Sequence, residues 1–178
     1  MTSIHEVKPA WNWRLRERYG HLGVGESAAA PGEINTEGRP KGSLFDIFDI
    51  RLLKVGPGAA TAEMHLKQVH MNQRGITQAG AVVVLADAAA GWATIPALAE
   101  DMQFTTLELK MNMLRVSRIG DILRAEVTPV HVGSTAIVLD VLIFRPNAQG
   151  KPVAKFSCTQ LVLRQRSEKQ GGQEKPSV

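Results

Sequence analysis

The stretch AVVVLADAAAGWA, residues 81–93, decides the fold. Twelve of its residues are apolar or small, and the remaining one is Asp87. The run continues through TIPALAE to about Glu100, with no turn signal before Pro96. Alanine content and a length of roughly 20 residues make it a helix, although VVV alone would suit a strand equally well. A helix that is apolar nearly all round must be covered on most sides. A lone carboxylate buried there without partners costs roughly several kcal/mol. Asp87 therefore reaches solvent through a gap, is held by Thr or Gln side chains as a structural group, or serves chemistry.

The segments around this helix are strand-like. LFDIFDIRLLKV (44–55) reads as a strand, GPG (56–58) as a turn, and ATAEMHLKQV (60–69) as a second strand. The second alternates cleanly, with Ala62, Met64 and Leu66 on one face and Glu63, His65 and Lys67 on the other. HMNQRGITQAG (70–80) is a polar loop into the helix. Beyond the helix come TTLELKMNML (105–114), DILRAEVTPVHV (121–132), STAIVLDVLIF (134–144) and KPVAKFSCTQLVL (151–163). The first of these puts Leu107, Leu109, Met111 and Met113 on one face. The turns RIGD, VGS and PNAQGK are short enough to make the four consecutive antiparallel neighbours. A curved antiparallel sheet wrapped around a long central helix meets the helix's need for cover. That is an α+β architecture of the hotdog type.

At 178 residues the chain supports one good core, expected over residues 45–165. Residues 1–44 form an N-terminal extension: a short helix in PAWNWRLRERYG (9–20), with Trp11 and Trp13 as packing anchors, then a Gly- and Pro-rich loop. Residues 166–178 are too poor in apolar side chains to order themselves, which predicts a flexible tail. Hydrophobic content of 44% and charged content of 21% suit a soluble domain. The net charge of +4 is scattered, which argues against nucleic acid as a partner. The single cysteine, Cys158, excludes an intrachain disulfide and reads as an inert strand thiol. The N-terminus has no signal-peptide pattern, and Asp87 breaks the longest apolar run short of a membrane span. A cytoplasmic protein without membrane partners is expected. The five histidines lack metal-ligand spacing, and neither a Gly-x-Ser-x-Gly elbow nor a glycine-rich dinucleotide loop occurs. No metal or cofactor is implied.

Asn72 is followed by Gly75, by Gln78-Ala79-Gly80, and by Asp87 nine residues after Gln78. With the Thr-rich TTLELKMNML strand, the Gly120-Asp121 turn, the VHVGSTA hairpin and GKPVAKFSCT, this spacing resembles the acyl-CoA thioesterases of the hotdog superfamily, of the phenylacetate-pathway (PaaI-like) type. The resemblance covers most of residues 45–163. Two departures stand out: Gln78 occupies a position where many members have His, and Ala79 replaces the first glycine of a pair.

The resemblance implies that the Gly80 backbone N–H is an oxyanion donor, with Asn72 and Gln78 orienting water or the thioester. It makes Asp87 general base or nucleophile, and places a strand hydroxyl beside it. Counting back from Gly120-Asp121 assigns that hydroxyl to Thr106, with Thr105 on the opposite face. Elementary physics suits the arrangement: free N–H groups and the positive end of the dipole meet at a helix N-terminus, and glycine admits a substrate close to the backbone. Ala79, His70, Arg115 and Arg118 complete the expected substrate-binding set, the two arginines near the nucleotide of coenzyme A. Trp92, Met111 and Met113 either shape the acyl pocket or pack in the core.

Gly80 and Asp87 stand seven residues apart on one helix, about 10 Å, whereas reacting groups must approach to about 3 Å. One chain's pair is too far apart to serve a single carbonyl. A site shared between subunits, and hence a homodimer or dimer of dimers acting on acyl-CoA or aroyl-CoA, is the expectation. Two alternatives share the fold: an acyl-CoA sensor that binds without turnover, and an enoyl-thioester hydratase or dehydratase. The latter usually pairs a His with its carboxylate, and no such His is evident in the loop.

Overall fold

In the computed structural model the described residues are 10–36, 41–148 and 150–164, with the side chains of 10–13 left aside. The expected tail at 166–178 and the side chains of Trp11 and Trp13 lie outside this set. The elements run α1 (Ala10–Tyr19), β1 (Ala28–Ala29), α2 (Leu44–Ile47), β2 (Ile50–Gly56), β3 (Ala59–His65), α3 (Ala79–Thr94), β4 (Met102–Met113), β5 (Ile122–Val132), β6 (Ala136–Phe144) and β7 (Pro152–Arg164). One curved, antiparallel sheet in the order β1-β2-β3-β5-β6-β7-β4 wraps α3, which gives the hotdog fold.

The alanines of α3 let the sheet close tightly upon it. Ala81, Val82, Leu85, Ala86, Ala88, Ala89, Ala90 and Ala93 are buried against Leu52, Ala62, Met64, Leu123, Ile137, Leu139 and Phe156. The cover is incomplete along one stripe. Gly80 is exposed, and Val83, Val84, Asp87 and Gly91 are half-buried. Those positions recur at helical spacing and form one face. Asp87 thus sits where the helix reaches the surface, between Val83 and Val84 on one side and Gly91 on the other, and avoids full burial. Together with the following 3-10 turn, Ala79–Ala97 has a mean hydropathy of 1.4 over 19 residues, enough to span a membrane by length and composition. The expectation that it falls short was too strict. Most of that run is buried inside the protein.

Three expectations need correction. LFDIFDIRLLKV is not one strand: its first four residues are α2, where Ser43 Oγ accepts the Asp46 N–H at 3.3 Å and Asp46 Oδ2 accepts the Gly42 N–H at 2.9 Å. This local capping defeats the strand propensity, and Asp49, with φ +52°, redirects the chain into β2. The second strand ends at His65, and Gln68–His70 forms a 3-10 turn. The four later strands are not all consecutive neighbours either. Residues 114–121 carry the chain across the sheet, so β5 pairs with β3, while β4 pairs with β7 and forms the sheet's edge. Because α3 separates β3 from β4, β4 enters at the far edge and β5 returns beside β3.

Residues 10–36, expected as helix and loop, pack on the body. Leu15 and Tyr19 of α1 are buried, the Tyr19 hydroxyl donates to Ala29 O at 2.8 Å, and Arg16 donates to the carbonyls of Glu100 and Met102. Asn35 takes the place of a strand neighbour, accepting from Leu52 N–H at 2.8 Å and donating to Leu52 O at 3.0 Å. Backbone groups left open by the short β1 are thereby satisfied.

Candidate active site

The loop before α3 is held by its own side chains. Asn72 Oδ1 accepts the N–H of Arg74 at 2.9 Å and of Ile76 at 3.4 Å, an Asx turn, and Gly75 takes φ +70°. Asn72 Nδ2 has no partner among the described residues. Thr77 N–H donates to Ser117 O at 3.0 Å and Ser117 Oγ donates to Thr77 Oγ1 at 2.8 Å, both side chains buried. This lashes the loop to the 114–121 crossover. Gln78 is the N-cap residue of α3, yet its side chain caps nothing. The Ala81 N–H bends back to Gln78 O, and the Gly80 N–H finds no acceptor among the described residues. A free donor therefore stands exposed at the positive end of a 16-residue helix. A Cβ built on Gly80 would meet nothing within 4 Å.

A cleft of about 380 Å³ opens here, lined by Asn72, Gln78, Ala79, Met113, Leu114 and Arg115 among others. Arg115 donates from Nη1 to Pro152 O at 2.6 Å, which anchors its guanidinium at the rim. Arg118 does not line the cleft: it is exposed on the next turn, its N–H donating to Asp121 Oδ2 at 3.0 Å. His70 also departs from the expected substrate contact. It is fully buried, edge-on to Phe48 with ring centroids 4.9 Å apart, and its Nδ1 accepts the Lys67 N–H at 2.8 Å. Burial lowers its pKa below 6.5, and its carbonyl accepts the Gln78 N–H at 2.8 Å. Its contribution is to set the loop from within.

Asp87 lies two turns farther along α3 and is absent from the cleft lining. Its Oδ1 accepts from the Thr106 hydroxyl at 3.2 Å. Thr106 faces inward on β4 and Thr105 is exposed. A register shift between Thr106 and Glu108 makes this possible: Leu107 is bulged out and 63% exposed, so Thr106 shares the inner face with Leu109, Met111 and Met113. The expected grouping of Leu107 with those three is corrected by that bulge. Behind Thr106, Gln160 Oε1 lies 3.1 Å from the hydroxyl, and Gln160 Nε2 lies 3.5 Å from Cys158 Sγ. Burial pushes the Cys158 thiol up to about 11. Trp92 packs on Phe45 with centroids 5.4 Å apart.

One chain therefore holds two separate clusters. Asn72, Gln78, Ala79, Gly80 and Arg115 meet at the helix N-terminus; Asp87 and Thr106 meet near its middle. Sequence reasoning missed Gln160 and the Thr77–Ser117 pair. Gln160 has a readable signal, since it alternates in phase with Phe156 and Cys158 and so faces the core as a polar residue. Among the described residues, no group of three or more His, Cys, Asp and Glu side chains could hold a metal ion.

Residues 75–150 match the model of the Thioesterase superfamily. Among solved structures, a thioesterase from Pseudomonas aeruginosa, determined as a glutamine-to-alanine variant, is 25% identical with a TM-score of 0.69, over 77% of this chain and 96% of that one. A hypothetical thioesterase with coenzyme A from Streptococcus pneumoniae is 26% identical with a TM-score of 0.58, over 66% and 88%. The phenylacetic acid degradation protein PaaI of Thermus thermophilus, an asparagine-to-aspartate variant, shares the fold at 21% identity and a TM-score of 0.60, over 66% and 96%. No curated protein sequence matches the chain.

Proposed function

We infer that this hotdog-fold protein of the PaaI-like thioesterase type hydrolyses an acyl- or aroyl-CoA thioester to the free acid and coenzyme A. The carrying observation is the pair of half-sites: a free N–H at the Gly80 helix terminus beside an open cleft, and a carboxylate fixed by a threonine hydroxyl on the uncovered face of the same helix. The superfamily match spans both, and the coenzyme A in the pneumococcal structure supports a CoA-borne substrate.

The thioester oxygen accepts from the Gly80 N–H, where the donor and the helix dipole stabilise negative charge as the carbonyl becomes tetrahedral. Asn72 Nδ2 and the Gln78 side chain orient water or the thioester from the loop. Asp87 either takes a proton from the attacking water or attacks the carbonyl itself, giving an anhydride that water then opens. In both routes the C–S bond breaks and the coenzyme A sulfur leaves, to be protonated to the thiol. Ala79 borders the cleft, and Arg115 at the rim suits the phosphates of the carrier.

The two half-sites belong to one centre only if two chains meet. Seven residues of α-helix separate Gly80 from Asp87 by about 10 Å. A second subunit, its helix antiparallel, brings the Gly80 of one chain to the Asp87 of the other. Three features favour that pairing: the half-buried face of Val83, Val84 and Gly91 around Asp87, the open edge of β4, and the exposed Leu107, Leu109, Leu114 and Val116 beside it. The buried His70 leaves the loop without the imidazole that hydratase chemistry calls for. The test is free-thiol release from a panel of acyl- and aroyl-CoA esters. Turnover of at least one class is expected; binding without turnover across the panel would replace the hydrolase by a sensor.

A further inference from the structure

Gln160 is fully buried on β7, directly opposite Thr106 in the sheet register. Its in-phase neighbours Phe156 and Cys158 are apolar or inert and equally buried. A methionine would fill the same volume, and a buried amide is costly unless it is bonded. The polar side chain therefore answers to something other than packing.

Counting hydrogens says what. The Thr106 hydroxyl carries one hydrogen but lies within bonding distance of two acceptors, Asp87 Oδ1 at 3.2 Å and Gln160 Oε1 at 3.1 Å. A carboxylate only accepts, and an amide oxygen only accepts. One contact would set lone pair against lone pair. An amide has the same shape after a half-turn, and the half-turn removes the conflict. The amide nitrogen then donates to Thr106 Oγ1, the hydroxyl donates to Asp87, and the amide oxygen faces the Cys158 thiol, which burial keeps protonated.

We propose that Gln160 is a positioning residue for the hydrolysis inferred above: its side-chain amide donates to Thr106 Oγ1 and so fixes the threonine hydrogen on Asp87 Oδ1. Oδ2, which has no partner among the described residues, is left for water or the substrate carbonyl. The proposal rests on the thioesterase reading for its purpose, and on the hydrogen count for its geometry.

The test is a double-mutant cycle on the active dimer with the best CoA ester. Gln160→Met lowers kcat about tenfold, the worth of one oriented hydrogen bond, with KM nearly unchanged. Thr106→Val lowers it similarly. The double variant is no slower than Thr106→Val alone, because Gln160 acts only through that hydroxyl. Native kcat in Gln160→Met, or losses that multiply in the double variant, would overturn the proposal. Should Gln160→Met fold poorly, the native protein decides by NMR: slowly exchanging Gln160 amide protons that shift in both Thr106→Val and Asp87→Asn support the chain, and signals indifferent to both refute it. An inactive native protein would instead sink the hydrolase reading, which separates the two failures.

Discussion

The Thr106 hydroxyl lies 3.2 Å from Asp87 Oδ1, joining the edge strand to the central helix across 19 residues of sequence. Among the described residues it is the one hydrogen bond to the carboxylate, and it fixes the rotamer of a side chain on an otherwise apolar face. Thr106→Val keeps the shape and removes the donor. Steady-state kinetics should show kcat reduced about tenfold and KM little changed, with Thr106→Ser close to native. Equal turnover of valine and threonine proteins would detach the hydroxyl from the chemistry.

Gly80 separates what the chain needs from what a ligand needs. No atom of the protein crowds a Cβ there, and no left-handed backbone demands glycine. Gly80→Ala should therefore match or exceed native thermal stability, since alanine is favoured over glycine in a helix by up to about 1 kcal/mol. Activity should nevertheless fall, because the new methyl stands where the thioester approaches. Native kcat/KM in this variant would remove the substrate from that position.

Sharing of the site across subunits is tested by mixing. Asp87→Asn and Gly80→Pro should each be inactive, the second because proline in the first helical turn removes the free N–H. Unfolded together and refolded at equal amounts, half of the dimers are mixed and each carries one intact site, so activity recovers to about a quarter of native in a two-fold assembly. No recovery, with mixed dimers present by native mass spectrometry, would place each site within one chain.

Burial holds the pKa of His70 below 6.5, and its Nδ1 accepts from Lys67. The unfolded chain therefore takes up this proton at higher pH than the folded one. Stability is full above about pH 6.5 and falls as pH drops from there toward the folded value. Melting temperature against pH should decline on the acid side, and less steeply in His70→Asn. Identical slopes would exclude His70 as the source.

The central helix was legible because alanine, length and apolarity act locally, and the alternation of Ala62, Met64 and Leu66 gave the inner face of β3 for the same reason. Asp87 stood out as the lone charge, and Thr106 came from the strand hydroxyl that the family resemblance implies, located by counting back from the Gly120-Asp121 turn. What escaped were non-local or one-residue effects. Ser43 and Asp46 cap a helical turn that apolar composition alone reads as strand. The bulge at Leu107 leaves no mark in the alternation, yet it alone puts Thr106 and Leu109 on one face. Strand order depends on which edge β4 reaches after α3, which no short turn announces. His70 read as a loop ligand because its burial depends on Phe48, distant in sequence.

The central claim, that Asp87 carries the chemistry, is tested most directly by thiol release from the preferred CoA ester, comparing native protein with Asp87→Asn at matched folding. The account predicts turnover lower by about a hundredfold or more, with unchanged assembly and melting temperature. Equal turnover would make the carboxylate a structural partner of Thr106 and contradict the mechanism.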